Sequence, residues 1–151
     1  MVERTRGPGV EAALDRMGVH HVDLVVSSIE RSLPFYRELL GPLGWHGISE
    51  VEGERGETIW YLNGHGCSIG LREAQSELAP VDRYAVGLHH LALEAASRAA
   101  VDERADWLRE NDAKIESGPE EYSYLPGYYA VFFYDPDGLK LEIVHVAALA
   151  A

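Results

Sequence analysis

A single cysteine, Cys67, rules out an intramolecular disulfide and agrees with a reducing compartment. No apolar run approaches the roughly 20 residues that a membrane-spanning helix needs. The amino terminus carries no apolar signal core either. Basic residues are scarce, 13 against 25 acidic ones for a formal charge of −12, which opposes binding to phosphate backbones or anionic lipid because such binding runs on clustered Lys and Arg. The expectation is a cytoplasmic protein with no nucleic-acid or membrane partner. Phosphate loops followed by Lys-Ser or Lys-Thr, G-x-S-x-G, H-E-x-x-H and paired C-x-x-C motifs are all missing.

What is present is an ordinary globular composition, 46% hydrophobic over 151 residues, enough for one core. Residues 1–17, with Gly7, Pro8, Gly9 and several charges, read as a flexible leader ending in a short helix around Val10–Arg16. Residues 18–151 read as a single domain. Its first strand is Val19–Val26, β-branched and apolar. Ser27 and Ser28 then offer N-caps, with Glu30 completing a capping box on Ser27. Leu33, Tyr36, Leu39 and Leu40 recur at helical spacing, Pro34 is tolerable near the first turns, and Gly41-Pro42 stops the helix.

The plan then repeats. Gly87–Leu93 resembles the first strand, with His90 lying 69 positions after His21, and Val101, Ala105 and Leu108 mark a second helix running to about Asn111. Trp60–Gly66 aligns with Phe132–Gly138 at an offset of 72, which pairs Gly70 with Glu142. The expected fold is therefore α+β: two tandem βαβββ modules, about 18–75 and about 86–147, forming a cup-shaped, partly open β-barrel with the helices outside.

Alternation along a strand puts His21, Asp23 and Val25 on one face and His20, Val22 and Leu24 on the other. Pseudo-symmetry makes either His21 and His90 or His20 and His89 converge on the cup; the pattern leaves both pairings open. Gly138 in a left-handed turn sets Tyr134 opposite Lys140 and Phe132 opposite Glu142. Glu142 sits in the apolar strand Leu139–Val144, where a carboxylate requires a partner, and a metal supplies one. Two imidazoles and a carboxylate suit catalytic Fe, Mn, Ni, Co or Zn. Asp23 and Glu94, two and four residues beyond a His on the same face, are candidates for proton transfer or substrate orientation. In the segment Tyr122–Tyr129, Tyr124 and Tyr129 are candidate pocket residues with Phe132; a strand with its approach loop explains the segment equally well. His65 falls in a turn and His145 away from Glu142, while His20 and His89 take the back face if His21 and His90 face the cup.

His20-His21-Val22-Asp23-Leu24 before Glu30–Gly41, His89-His90-Leu91-Ala92-Leu93, and Phe132–Glu142 with its Asp-Pro-Asp-Gly turn together resemble the vicinal oxygen chelate superfamily of glyoxalase I, extradiol dioxygenases, fosfomycin-resistance enzymes and bleomycin-resistance proteins. The resemblance runs from about Gly18 to Val146. It implies one divalent metal ion held by His21, His90 and Glu142, chelation of a small oxygenated substrate, and a homodimer. It also implies a lyase, isomerase or dioxygenase reaction. Gly70 stands where a glyoxalase I brings a fourth ligand, which counts against that reaction. The competing function is non-catalytic sequestration of a small, antibiotic-type molecule, as in the bleomycin-resistance branch.

Overall fold

The computed structural model describes residues 18–147; the leader and its short helix lie outside the described residues. Two four-stranded mixed sheets carry the fold, in the orders β1-β4-β3-β2 and β5-β8-β7-β6. The first contains β1 (His21–Val26), β2 (Gly47–Glu52), β3 (Thr58–Gly64) and β4 (Cys67–Glu73); the second contains β5 (Leu91–Glu94), β6 (Ile115–Tyr122), β7 (Tyr128–Tyr134) and β8 (Lys140–His145). Helix α1 (Ile29–Leu40) follows β1 and helix α2 (Arg98–Glu110) follows β5, so the βαβββ plan appears twice. Among the described residues no ladder joins the sheets, and the barrel stays open.

Serine caps start both helices. Ser28 Oγ accepts from Arg31 N at 3.3 Å and Ser97 Oγ from Ala100 N at 3.1 Å. The two caps are separated by the same 69 positions that separate the histidines. The N-cap is therefore Ser28 rather than Ser27, and with Arg31 at the third helical position the expected capping box with Glu30 does not form; Ser27 bonds Asp137 instead. Gly41-Pro42 does not end the run. The chain continues as a 3-10 turn through Leu43 and stops at Gly44, whose φ of 101° breaks the handedness.

Tyr36, Leu39 and Leu40 of α1, Val101, Ala105 and Leu108 of α2, and the helix-facing residues Leu24, Leu71, Phe133 and Ile143 build one core spanning both modules. Each fully buried Leu or Ile there contributes about 2 kcal/mol of transfer free energy. The Asp135–Gly138 turn fastens the modules together. Tyr36 Oη donates to Asp135 Oδ2 at 2.7 Å in a buried contact, Ser27 N donates to Asp137 Oδ2 at 2.9 Å, and Arg31 pairs with Asp137 Oδ1 at 3.0 Å. Ser27 Oγ also bonds Asp137. Gly138 has φ 89°, and β7 pairs with β8 in the expected register, Phe132 opposite Glu142 and Tyr134 opposite Lys140.

On the partner strands one offset needs correcting. Gly70 faces Tyr61, whereas Glu142 faces Phe132, so β3 and β7 correspond at 71 positions rather than 72. The cause is loop length: His65-Gly66 closes the first hairpin as a two-residue loop with both φ values positive, while the second needs five residues.

Candidate functional site

His90 sits immediately before β5, not inside the strand expected over Gly87–Leu93, and Glu142 lies on β8 two strand positions from Lys140. Ala92 pairs with Glu142 across β5 and β8, as Asp23 pairs with Gly70 across β1 and β4, which makes His21 and His90 equivalent. Val22, Leu24 and Val26 turn toward the helices while Val25 stays 64% exposed, so His21 belongs to the uncovered face of its sheet.

At the second sheet a compact polar site results. His90 Nε2 lies 3.1 Å from Glu142 Oε2, and Tyr128 Oη donates a short hydrogen bond to Glu142 Oε1. Glu142 is 1% exposed. A carboxylate this deep would be strongly disfavoured without partners, and an imidazole plus a phenol supply them. Burial, followed by the hydrogen bond to Glu142 and its negative charge, raises the Tyr128 phenol well above the usual tyrosine range, so its proton stays on at neutral pH. A buried carboxylate oxygen beside an imidazole nitrogen is donor chemistry that suits two corners of a divalent cation.

Each His doublet has the same internal geometry. Nδ1 of His20 is 2.8 Å from Nδ1 of His21, and Nδ1 of His89 is 2.7 Å from Nδ1 of His90, with the rings edge to face in both cases. The back-face assignment of His20 and His89 is therefore corrected: each lies beside its neighbour and occupies that neighbour's Nδ1. The Nε2 atom of each second His stays clear of the doublet, that of His90 facing Glu142 Oε2. Partial desolvation, then the charges of His90, Lys140 and Arg83, lowers the His89 imidazole below its usual range.

Among the described residues no three His, Cys, Asp or Glu side chains converge closely enough to hold a metal. His21 joins no such group with His90 and Glu142 in one chain. Instead His21 stacks edge-on against Tyr61, with centroids 5.8 Å apart. Asp23 on the same face pairs with Arg72 at 2.6 Å and accepts from Tyr61 Oη at 3.3 Å, while Arg72 also pairs with Glu57 at 3.3 Å. Glu94 is exposed at the end of β5.

Phe132 flanks the polar site, its ring 6.2 Å from that of His90. Tyr124 stacks on Tyr122 and meets Tyr128 edge-on, extending an aromatic row from the carboxylate to solvent. Tyr129 is on the other face, where its hydroxyl donates to Asp102 of α2 at 2.5 Å. The sequence offered Tyr128 only as part of the segment Tyr122–Tyr129 and singled out Tyr124 and Tyr129, although its even spacing from Phe132 along β7 marks it as a residue of the same face. His65 lies in its turn against the Leu43 carbonyl at 2.7 Å, and His145 donates to the Ala95 carbonyl at 2.9 Å.

The profile of the Glyoxalase/Bleomycin resistance protein/Dioxygenase superfamily matches residues 18–143. Metallothiol transferase FosB of Staphylococcus epidermidis is 30% identical over 132 residues, spanning 87% of this chain and 85% of that one. The uncharacterized protein YqjT of Bacillus subtilis is 30% identical over 128 residues, spanning 83% and 97%. Among solved structures, a glyoxylase/bleomycin resistance protein/dioxygenase domain from Frankia superposes with a TM-score of 0.72 at 27% identity, covering 85% of this chain and 97% of that one.

Proposed function

This chain belongs to the glyoxalase/bleomycin resistance protein/dioxygenase superfamily, and from that premise we propose that it is a metal-dependent enzyme acting on a small oxygenated molecule. The ligands in this reading are His90 and Glu142 of one copy with the partner's His21. The observation that carries it is the contact between His90 and the buried Glu142, backed by Tyr128.

A bound divalent ion of the Fe, Mn, Ni, Co or Zn kind would polarise two neighbouring substrate oxygens, the step that lyase, isomerase, dioxygenase and thiol-transfer reactions share. The chain's own groups prepare that site. His89 fixes the direction of the His90 ring, Tyr128 keeps a proton on its oxygen and anchors Glu142, and Phe132 limits water beside the imidazole. Gly70, where a fourth ligand would stand, keeps the set at three. Likeness to a metallothiol transferase favours attack by a thiol over classical glyoxalase chemistry.

The same geometry supports a homodimer. Among the described residues one chain gathers no three-ligand group, and Val25 and Val51 on the uncovered face of the first sheet are 64% and 47% exposed. A second copy that brings its His21 to His90 and Glu142 completes the ligand set. The aromatic row of Tyr122, Tyr124 and Tyr128 supports a second reading, sequestration of a planar small molecule without turnover.

The test is metal content by plasma mass spectrometry on untagged protein. Wild type is expected to hold about one ion per chain, and His21→Ala and His90→Ala none. Co-refolding the two variants regains metal if two copies share each site. Metal retained in His21→Ala would overturn the three-ligand reading, and a wild type that takes up no ion would leave sequestration as the function.

A further inference from the structure

Lysine is so scarce that the chain has only two, Lys114 and Lys140, and both lie against the β7 aromatic residues beside Arg83 of the inter-module segment. Lys114 Nζ is 5.1 Å from the centre of the Tyr134 ring, Arg83 Cζ is 5.9 Å from the same ring, and Lys140 Nζ is 4.8 Å from that of Phe132. One carboxylate serves them: Glu116 pairs with Lys140 at 2.6 Å and Arg83 at 3.0 Å. The Tyr134 hydroxyl accepts from Arg83 at 2.8 Å and donates to Glu116 at 2.9 Å. Three cations gather here around Glu116, an island of basic side chains on a protein whose overall charge is strongly negative.

We propose that this island is a binding site for an oxyanion, a carboxylate or a phosphate-type group, and that it receives the anionic end of the substrate. Its donors are not exhausted. Arg83 Nε is buried without a partner, Lys140 Nζ makes one ion pair out of three possible bonds, and among the described residues Lys114 makes none. Two other carboxylates border the crevice between Arg83, Lys114, Tyr134 and the Asp135–Gly138 turn, but both are engaged: Asp135 by Tyr36 and the backbone N–H groups of Asp137 and Leu139, and Asp137 by Ser27 and Arg31. Lys140 and Arg83 are shielded, at 13% and 24% side-chain exposure, so a bound anion meets them with less water screening than at an open surface.

Position links the island to the polar site. The Phe132 ring centre lies 4.8 Å from Lys140 Nζ and 6.2 Å from the His90 ring centre, so a small metabolite anchored at the cations extends its oxygens toward Glu142. That the anion belongs to the substrate rests on the metal-site reading; that the island binds oxyanions does not.

The two are separated by measuring binding in the His90→Ala background with chelator present. Titration calorimetry with inorganic phosphate, methylphosphonate and acetate is expected to show binding that weakens about tenfold or more in Arg83→Gln and Lys140→Gln. Lys114→Gln weakens it to a lesser degree, and the exposed control Arg109→Gln leaves it unchanged. Circular dichroism confirms that each variant is folded. The ratio of phosphate to acetate affinity identifies which oxyanion the site prefers. Absence of binding by all three anions, or equal affinity in Lys140→Gln and Arg109→Gln, would overturn the proposal whatever the metal analysis gives.

Discussion

The carboxylate of Asp23 occupies the space that a side chain at Gly70 would need. A Cβ built on Gly70 falls well inside contact distance of Asp23 Oδ1 and 2.6 Å from Tyr61 Cε1. The place of a side chain at position 70 is therefore filled by a neighbour, with Arg72 holding the carboxylate at 2.6 Å.

Gly70→Ala is expected to lower stability by about 1–3 kcal/mol through overpacking. Combining it with Asp23→Ala recovers part of the loss, because the two sites contend for one volume. Thermal denaturation of the two single variants and the double variant checks this. Strict additivity would show that the two side chains do not compete.

Tyr128→Phe removes the donor to Glu142 Oε1 and leaves a buried carboxylate oxygen unpartnered. Metal affinity is expected to fall about 10- to 100-fold, as losing an outer partner of a ligand does elsewhere. Competition with a calibrated chelator reads the change.

Removing the neighbouring imidazole should act in the same direction. In His89→Ala the His90 Nδ1 loses its contact at 2.7 Å, and metal binding is expected to weaken by about one order of magnitude. His145→Ala leaves it unchanged, because among the described residues that ring bonds the Ala95 carbonyl and no ligand candidate. Equal losses in both variants would point to general unfolding.

The joint between the modules makes a prediction about alkaline pH. Burial, then the charge of Asp135 and the hydrogen bond to it, raises the Tyr36 phenol well above its usual range. The native state thus keeps a proton that the unfolded chain begins to lose near pH 10. Stability is fully present below that pH and declines above it, by up to about 1.4 kcal/mol per pH unit for this residue. Tyr36→Phe is expected to cost about 1.5–3 kcal/mol at neutral pH through the lost bond to a charged acceptor and to decline less steeply above pH 10. Urea unfolding of both proteins at pH 7 and pH 10.5 compares the slopes.

Much of this was legible in the chain. Glu142 announced itself as a lone carboxylate in an apolar strand, and the doublets at 69 positions announced a duplicated module. Tyr134–Lys140 and Phe132–Glu142 followed from one left-handed glycine, since a turn fixes register. The role of Asp137 was not legible: its bonds to Ser27 and Arg31 cross more than a hundred residues, and no local pattern encodes a contact of that span.

By itself the sequence determined which residues alternate, where the first helix begins to within a residue, and which side chains carry metal-type donors, because propensity and periodicity are local properties of the chain. Only the tertiary structure decided which donors meet. It joined His90 to Glu142 and Tyr128, left His21 against Tyr61 on the other sheet, and gathered Arg83, Lys114 and Lys140 around β7. Those encounters depend on how two sheets and their helices pack around one core, and packing is settled by the whole chain at once.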